Sequence, residues 1–162
     1  MNMPKLTPIP SQIKDKHPLL RVFTWICFRR RWEILEDWEF QLPHGEPCIV
    51  IPQGFVFDGV SIPKPLHWFL SPTGVLFIPG LVHDFSYRYG YLWAYGKDGK
   101  VYKYQEGANR HVWDSTFQRL GVELNEMHVL NAFSRFILLS FGWKSWKDNR
   151  KKPFHELKPV HA

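Results

Sequence analysis

Apolar and polar residues alternate between residues 32 and 40, with an acidic turn at Glu36-Asp37, which is the pattern of a half-buried β-strand. A turn follows at residues 44–47, where Gly and Pro stand close together. Apolar runs at residues 48–51 and 55–57 then predict two further short strands. The first half of the chain is therefore predicted to form a small antiparallel sheet.

Helical signals begin after this sheet. Residues 65–70 are predicted to form a short helix. Pro79 suits the first position of the next helix, because the N–H that proline lacks would have no partner there. Apolar residues continue to about Tyr89, and Gly90 suits the left-handed residue that ends many helices. We therefore predict a buried helix over residues 79–89.

A β-hairpin and two longer helices are predicted for the rest of the chain. Residues 91–95 and 101–105 flank the sequence Gly-Lys-Asp-Gly-Lys, which is a strong hairpin signal. Apolar residues at helical spacing predict a helix over residues 108–120, stopped by Gly121. The same spacing predicts the longest helix over residues 123–141.

The order of these elements predicts one α+β domain, with a small antiparallel sheet in the N-terminal half and a helical C-terminal half that contains an inserted β-hairpin. A chain of 162 residues, 44% of them hydrophobic, can bury a core and is unlike disordered sequences. Residues 1–18, rich in Pro and Lys, are predicted to be an N-terminal arm. Residues 19–143 are the single domain, and residues 144–162 are a basic C-terminal tail.

The formal net charge is +6, and basic residues cluster at residues 29–31 and 144–152. Such clusters can contact phosphates or a membrane surface, or can simply be solvated. The sequence contains no nucleic-acid motif of fixed spacing and no run of about 20 apolar residues that would predict a transmembrane helix. Cys27 and Cys48 cannot form a disulfide framework. We expect a soluble protein of a reducing compartment, with its oligomeric state left open.

His83 and Asp84 are polar exceptions in an otherwise apolar helix. Burying an ionisable pair costs several kcal/mol unless hydrogen bonds, a partner charge or a metal compensate it. Tyr87 stands four residues after His83, and Arg88 stands four residues after Asp84, so each pair shares one helix face. If the protein has a catalytic site, we therefore expect it at this segment.

Asp114 is the predicted third member of the site. It stands at the edge of the apolar face of the helix over residues 108–120, and Arg110 precedes it by one turn. Two helices that pack antiparallel through their apolar faces would bring Asp114 to His83.

Three interpretations of these residues stay open. In the first, Asp114 orients His83, which activates a water, while Asp84 holds a divalent cation that polarises a substrate. In the second, the same three side chains ligate one transition metal directly, with Asp58 as a further candidate ligand. In the third, a network of His, Asp, Tyr and Arg only fixes the packing of two helices and a loop.

Several motifs stand in fixed order between residues 32 and 120: Trp-Glu-Phe at 38–40, Ile-Pro-Gln-Gly-Phe at 51–55, Asp-Gly-Val-Ser-Ile-Pro at 58–63, His-Asp-Phe-Ser-Tyr at 83–87 and Arg-His-Val-Trp-Asp-Ser-Thr-Phe at 110–117. This succession resembles a small protein family common in bacteriophages and prophages, catalogued as domain of unknown function 1353. The resemblance implies a phage context, in the bacterial host cytoplasm or in the phage particle. It implies no reaction, because the family has no settled activity.

The order His-Asp-x-x-Tyr, then a β-hairpin, then a helix that carries Asp, resembles the secreted and parvoviral phospholipases A2. This resemblance implies His83 as general base and Asp84 as a calcium ligand. It also implies Asp114 as the partner that orients His83, with Tyr87 hydrogen-bonded to the network. The disulfides and the glycine-rich calcium loop of those enzymes are missing from this sequence.

Two functions of different classes are therefore expected. The first is a phage-encoded hydrolase whose substrate is an ester in lipid or a component of the cell envelope. Its predicted residues are His83, Asp114 and Tyr87 for catalysis, Asp84 and Asp58 for a Ca²⁺- or Zn²⁺-like cation, and Arg110 and Arg88 in support. The second is a non-enzymatic virion or tail accessory protein, or a protein that binds a host factor, in which the cluster is structural.

Overall fold

Residues 3–10, 31–57 and 76–160 are described by the computed structural model of the protein, apart from the side chain of Phe141. The strands in these ranges are β1 (Leu6–Ile9), β2 (Arg31–Ile34), β3 (Trp38–Gln41), β4 (Cys48–Ile51), β5 (Val56–Phe57), β6 (Leu92–Tyr95) and β7 (Val101–Tyr104). The helices are α1 (Phe77–Tyr89), α2 (Arg110–Asn125) and α3 (His128–Lys151). The predicted helix over residues 65–70 lies outside the described residues.

The strands form two antiparallel sheets, which confirms the α+β fold class. One sheet has the order β1-β2-β5, and the other has the order β3-β4-β6-β7. The predicted hairpin is confirmed as β6 and β7, and it joins the second sheet because β6 pairs with β4, with Ile49 opposite Ala94. Most strands precede the helices along the chain, as predicted.

The alternating stretch over residues 32–40 is two strands in different sheets, so the prediction of one strand in one sheet was wrong. The break falls at the acidic turn, where the carboxylate of Asp37 accepts hydrogen bonds from the backbone N–H groups of Gln53 and Val160. These bonds hold the turn against two distant parts of the chain. β3 buries Trp38 and Phe40 on one face, and β2 buries Ile34 and half-buries Trp32, so the alternating sequence pattern continues across the turn.

Helix α1 ends at Gly90 as predicted, with the glycine in the left-handed region at φ 80° and its N–H bonded to the carbonyl of Ser86. The predicted start at Pro79 was wrong, because the helix begins at Phe77 and Pro79 is its third residue. Proline is tolerated there, since the N–H groups of the first turn have no partner within the helix.

Helices α2 and α3 differ from the predicted bounds. Gly121 does not stop α2, which continues to Asn125 and ends at Glu126 with φ 55°. The glycine allows α3 to approach instead, because a Cβ at Gly121 would overlap the carboxamide oxygen of Asn131. Helix α3 begins at His128 and not at residue 123, and it continues past residue 141 to Lys151.

Helix α1 occupies the middle of the core and contacts α2, α3, β5 and β6. Its residues Leu81, Val82 and Phe85 are buried, and the Phe85 ring packs edge-on against Phe55 with centroids 5.0 Å apart. Trp113 of α2 belongs to the same core cluster. The helix that carries the predicted His-Asp pair is therefore enclosed by other elements on several sides.

Parts of the predicted arm and tail join the fold. β1 lies inside the predicted N-terminal arm and pairs with β2. Helix α3 includes residues 144–151 of the predicted basic tail, and beyond it the indole N–H of Trp93 donates to the carbonyl of Leu157 over 2.8 Å. Among the helices of the described ranges, none is long and apolar enough to cross a membrane.

Candidate active site at His83 and Asp114

Two helices bring the predicted residues together. His83 and Tyr87 stand one turn apart on α1, and Asp114 faces them from α2. His83 Nε2 lies 3.1 Å from Asp114 Oδ1, and the Tyr87 hydroxyl donates a hydrogen bond to the same oxygen. The rings of His83 and Tyr87 also pack on each other, with centroids 3.9 Å apart. Asp114 thus receives two hydrogen bonds from one face of α1.

Arg110 completes what we call the Asp114 cluster, defined as His83, Tyr87, Arg110 and Asp114. Arg110 Nε lies 3.8 Å from Asp114 Oδ2, one helical turn away. Burial alone would raise the pKa of Asp114, which is 0% exposed. The hydrogen bonds from His83 and Tyr87, with the charge of Arg110, outweigh burial and lower the pKa below its ordinary value. Asp114 is therefore ionised at neutral pH.

Burial also sets the protonation of His83, which is 7% exposed. It lowers the pKa of His83 below its ordinary value, and the hydrogen bond to Asp114 opposes this only in part. The imidazole is therefore neutral at neutral pH. Because Asp114 is an ionised acceptor, the ring proton belongs on Nε2, which leaves a lone pair on Nδ1.

Tyr87 is held as a hydrogen-bond donor. Burial raises the pKa of its hydroxyl, and the hydrogen bond to the negative Asp114 raises it further. The hydroxyl therefore keeps its proton and donates to the carboxylate across the pH range in which proteins work. Its contribution is to position Asp114, since it does not itself exchange a proton.

Helices α2 and α3 also place residues against the Asp114 cluster that the sequence did not predict as part of the site. Phe117 packs edge-on against the His83 ring with centroids 5.5 Å apart, and Trp146 packs edge-on against Tyr87 at 5.2 Å. A Cβ at Gly142 would stand 2.9 Å from the Tyr87 hydroxyl oxygen. Phe117 follows Asp114 by three residues, so helical spacing could have suggested it, whereas no local signal marks Gly142 or Trp146.

Arg150 ties the end of α3 to α1. Its Nη2 donates to the backbone carbonyl of Tyr87 over 2.6 Å, and its guanidinium stacks on the Trp146 ring, 4.4 Å from the centroid. A Cβ at Gly90 would overlap this guanidinium. The glycine thus serves both the left-handed end of α1 and the approach of Arg150.

Two residues, Asp84 and Asp58, are predicted to hold a cation. Asp84 follows His83 on α1 and is partly exposed. Across residues 3–10, 31–57 and 76–160, no group of three or more His, Cys, Asp or Glu side chains is arranged to hold a metal ion. Asp58 lies outside the described residues, so its predicted role as a ligand stays a prediction.

Arg88, predicted to support the site, lies against aromatic rings. Its guanidinium stands 4.7 Å from the centroid of Phe55 and 5.3 Å from that of Phe154. Both contacts are cation–π interactions. Arg88 thus links α1 to the residue that precedes β5 and to the segment after α3.

The arrangement is suited to proton transfer. A neutral imidazole is fixed by its Nε2–H to an ionised carboxylate, and that carboxylate also accepts a hydrogen bond from Tyr87 and forms an ion pair with Arg110. The other ring nitrogen can then accept a proton, and the carboxylate stabilises the imidazolium that results.

Residues 32–131 match the family model described as protein of unknown function (DUF1353). The chain belongs to this family. The comparison with curated proteins and the comparison with solved structures found no match. In this DUF1353 member all four residues of the Asp114 cluster fall inside the matched region. The C-terminal part of α3, with Gly142, Trp146 and Arg150, lies beyond it.

Proposed function

We propose that this protein is a hydrolase in which His83 is the general base. The observation that carries the proposal is the buried hydrogen bond of His83 Nε2 to Asp114 Oδ1, supported by the Tyr87 hydroxyl on the same oxygen. Such a bond fixes the tautomer and the orientation of the imidazole. An ionised carboxylate behind the ring also favours protonation of Nδ1 during a reaction.

The proposed reaction is the hydrolysis of an ester. His83 Nδ1 takes a proton from a water molecule while the water oxygen attacks the ester carbonyl carbon. The resulting intermediate breaks its bond to the alcohol oxygen, and the imidazolium returns the proton to that oxygen. Asp114 stays ionised throughout. A positioned general base of this kind contributes about 10²–10⁴-fold to a rate.

Esters in lipid or in the cell envelope of a bacterial host are the proposed substrates, in keeping with the phage context that the motifs suggest. The proposal includes a divalent cation at Asp84, which is tested separately. The described residues do not supply a complete set of metal ligands, so the steps above use none. Activity measured with EDTA, and after addition of Ca²⁺ or Zn²⁺, tests the cation.

The variant that tests the base is His83→Gln. A glutamine amide nitrogen can occupy the place of Nε2 and donate to Asp114, but glutamine has no group that accepts a proton at the place of Nδ1. Hydrolysis of phospholipid and short-chain aryl ester substrates is measured for the wild type, His83→Gln and the control His111→Gln, which changes an exposed histidine of α2.

We expect His83→Gln to lose at least about 100-fold in kcat while His111→Gln keeps its activity. A wild-type hydrolysis rate that His83→Gln retains would exclude His83 as the base. The conservative variant Asp114→Glu separates geometry from charge, because it keeps the carboxylate but places it one methylene farther from the α2 backbone.

A packing role for the Asp114 cluster is the second candidate, and the burial of His83 and Asp114 favours it. In that case the protein is a non-enzymatic component of the phage particle, or binds a host factor. This candidate predicts that His83→Gln lowers the unfolding midpoint and that the wild type hydrolyses none of the tested esters. Mass spectrometry of purified phage particles then tests for the protein as a component.

A further inference from the structure

Helix α3 carries large apolar side chains on its outer side. Val129 is 85% exposed, Phe136 64% and Trp143 57%, and Phe133 and Leu139 are exposed as well. We call these five residues the apolar face of α3. The opposite side of the helix faces the rest of the chain, where Asn131, Ser134 and Gly142 are buried and Leu130 and Leu138 are partly buried. Large apolar side chains therefore stand on both sides of α3, which departs from the usual surface helix with one polar face.

The apolar face is continuous along the helix. Its residues recur at intervals of three or four, so they stand above one another on one side. From Val129 to Trp143 the face extends for about 21 Å at 1.5 Å per residue. Contiguous apolar patches of this kind on a protein surface mark sites of interaction with another molecule or a membrane.

The charges beside the apolar face of α3 indicate what kind of molecule covers it. From His128 to Lys147 the helix contains no Asp or Glu, Asp148 being its one acidic residue, and the exposed Lys144 and Lys147 stand one and four residues after Trp143. A second copy of a chain with a net charge of +6 would bring like charges together at such a contact. A negatively charged surface would be attracted.

We propose that the apolar face of α3 binds the surface of a lipid bilayer that contains anionic lipids. The helix lies parallel to the surface, Val129, Phe133 and Phe136 enter the boundary between headgroups and acyl chains, and Lys144 and Lys147 contact lipid phosphates. Trp143 lies at headgroup level, where its amphipathic ring is favoured. The proposal does not rest on the hydrolase function, because it concerns binding alone.

The test is co-sedimentation of the whole protein with vesicles. One set is pure phosphatidylcholine, and the other is an equal mixture of phosphatidylcholine and phosphatidylglycerol. We expect at least tenfold stronger partitioning to the mixed vesicles at low salt, weakened as salt screens the lysines. Equal binding to both sets, or binding to neither, would overturn the proposal.

Paired variants locate the binding surface. Phe133→Ser with Phe136→Ser is expected to weaken partitioning at least tenfold, because both side chains lose apolar area that the bilayer would cover. The control is Leu35→Ser, which removes a comparably exposed apolar side chain from the turn between β2 and β3. Val129→Ser repeats the test at the most exposed position of the face, in case the double variant fails to fold.

Charge reversal is tested in the same way. Lys144→Glu with Lys147→Glu should weaken partitioning to the mixed vesicles at least tenfold, since each lysine near the surface is worth about fivefold. Lys97→Glu with Lys100→Glu changes the net charge equally in the turn of the β6–β7 hairpin and should keep most of the binding. Equal losses in the two double variants would overturn the assignment to α3. A dimer in solution that Phe136→Ser dissociates would instead assign the face to a second copy of the chain.

Discussion

Tyr87→Phe isolates one hydrogen bond of the Asp114 cluster. The substitution removes the hydroxyl that donates to Asp114 Oδ1 and leaves the ring that packs on His83 and Trp146. Tyr87 is 3% exposed, so water cannot take the place of the lost donor without a rearrangement. The His83 hydrogen bond to the same oxygen remains.

A hydrogen bond to a buried charged group contributes about 1.5–3 kcal/mol to stability, and we expect Tyr87→Phe to cost this amount. For a chain of 162 residues the cost corresponds to a decrease in Tm of about 3–12 °C. The pKa of Asp114 should rise as well, because the Tyr87 hydrogen bond is one of the contacts that lower it.

The assay is urea unfolding at neutral pH, followed by circular dichroism, of the wild type, Tyr87→Phe and Tyr102→Phe. Tyr102 is 42% exposed on β7, so its hydroxyl is open to water, and its loss should change the free energy of unfolding by less than about 0.5 kcal/mol. If Tyr87→Phe cost no more than Tyr102→Phe, the hydrogen bond from Tyr87 would not stabilise the Asp114 cluster.

Three more predictions concern the helices. Because the folded pKa of His83 is below the unfolded value of 6.5, His83 takes up a proton on unfolding, and stability should fall as pH decreases from about 6.5 towards the folded pKa. His83→Gln should flatten this dependence in urea unfolding at a series of pH values. Gly90→Ala should cost at least about 1–2 kcal/mol in the same assay, since it strains a left-handed residue and displaces Arg150. Gly121→Ala should cost about 1–3 kcal/mol by forcing Asn131 and α3 away from α2; a neutral effect would show that α3 moves freely.

The elements that the sequence predicted well are those with local signals. The β6–β7 hairpin follows from a Gly-rich turn between apolar runs, and the end of α1 follows from a glycine that takes a left-handed conformation. Both depend on residues within a few positions of one another, so their physical cause is visible in a short stretch of sequence.

The elements that were predicted wrongly depend on distant contacts. Asp37 separates β2 from β3 while bonding to Gln53 and Val160, and alternation alone does not say which sheet a strand joins. Glycine often ends a helix, but Gly121 lies inside α2. A glycine is needed there because Asn131 of α3 approaches closely. Tertiary packing decided the outcome at both positions.

The residues of the candidate site also divide into those with a local signal in the sequence and those that depend on distant contacts. His83 and Asp114 were identified because each is polar on an apolar helix face, and their pairing follows from the packing of α1 on α2. Helical spacing then gave Tyr87 and Arg110. Trp146 reaches the cluster from α3, and its position there depends on how three helices pack, which no spacing in the sequence reveals.

The protonation of His83 is the direct test of the central claim that this residue is poised as a base. ¹⁵N and ¹³C NMR of histidine-labelled protein, with His83→Gln to assign the signals, gives both the tautomer and the pKa. We predict a neutral ring with its proton on Nε2 and a pKa below 6.5. A proton on Nδ1, or a pKa above 6.5, would contradict it.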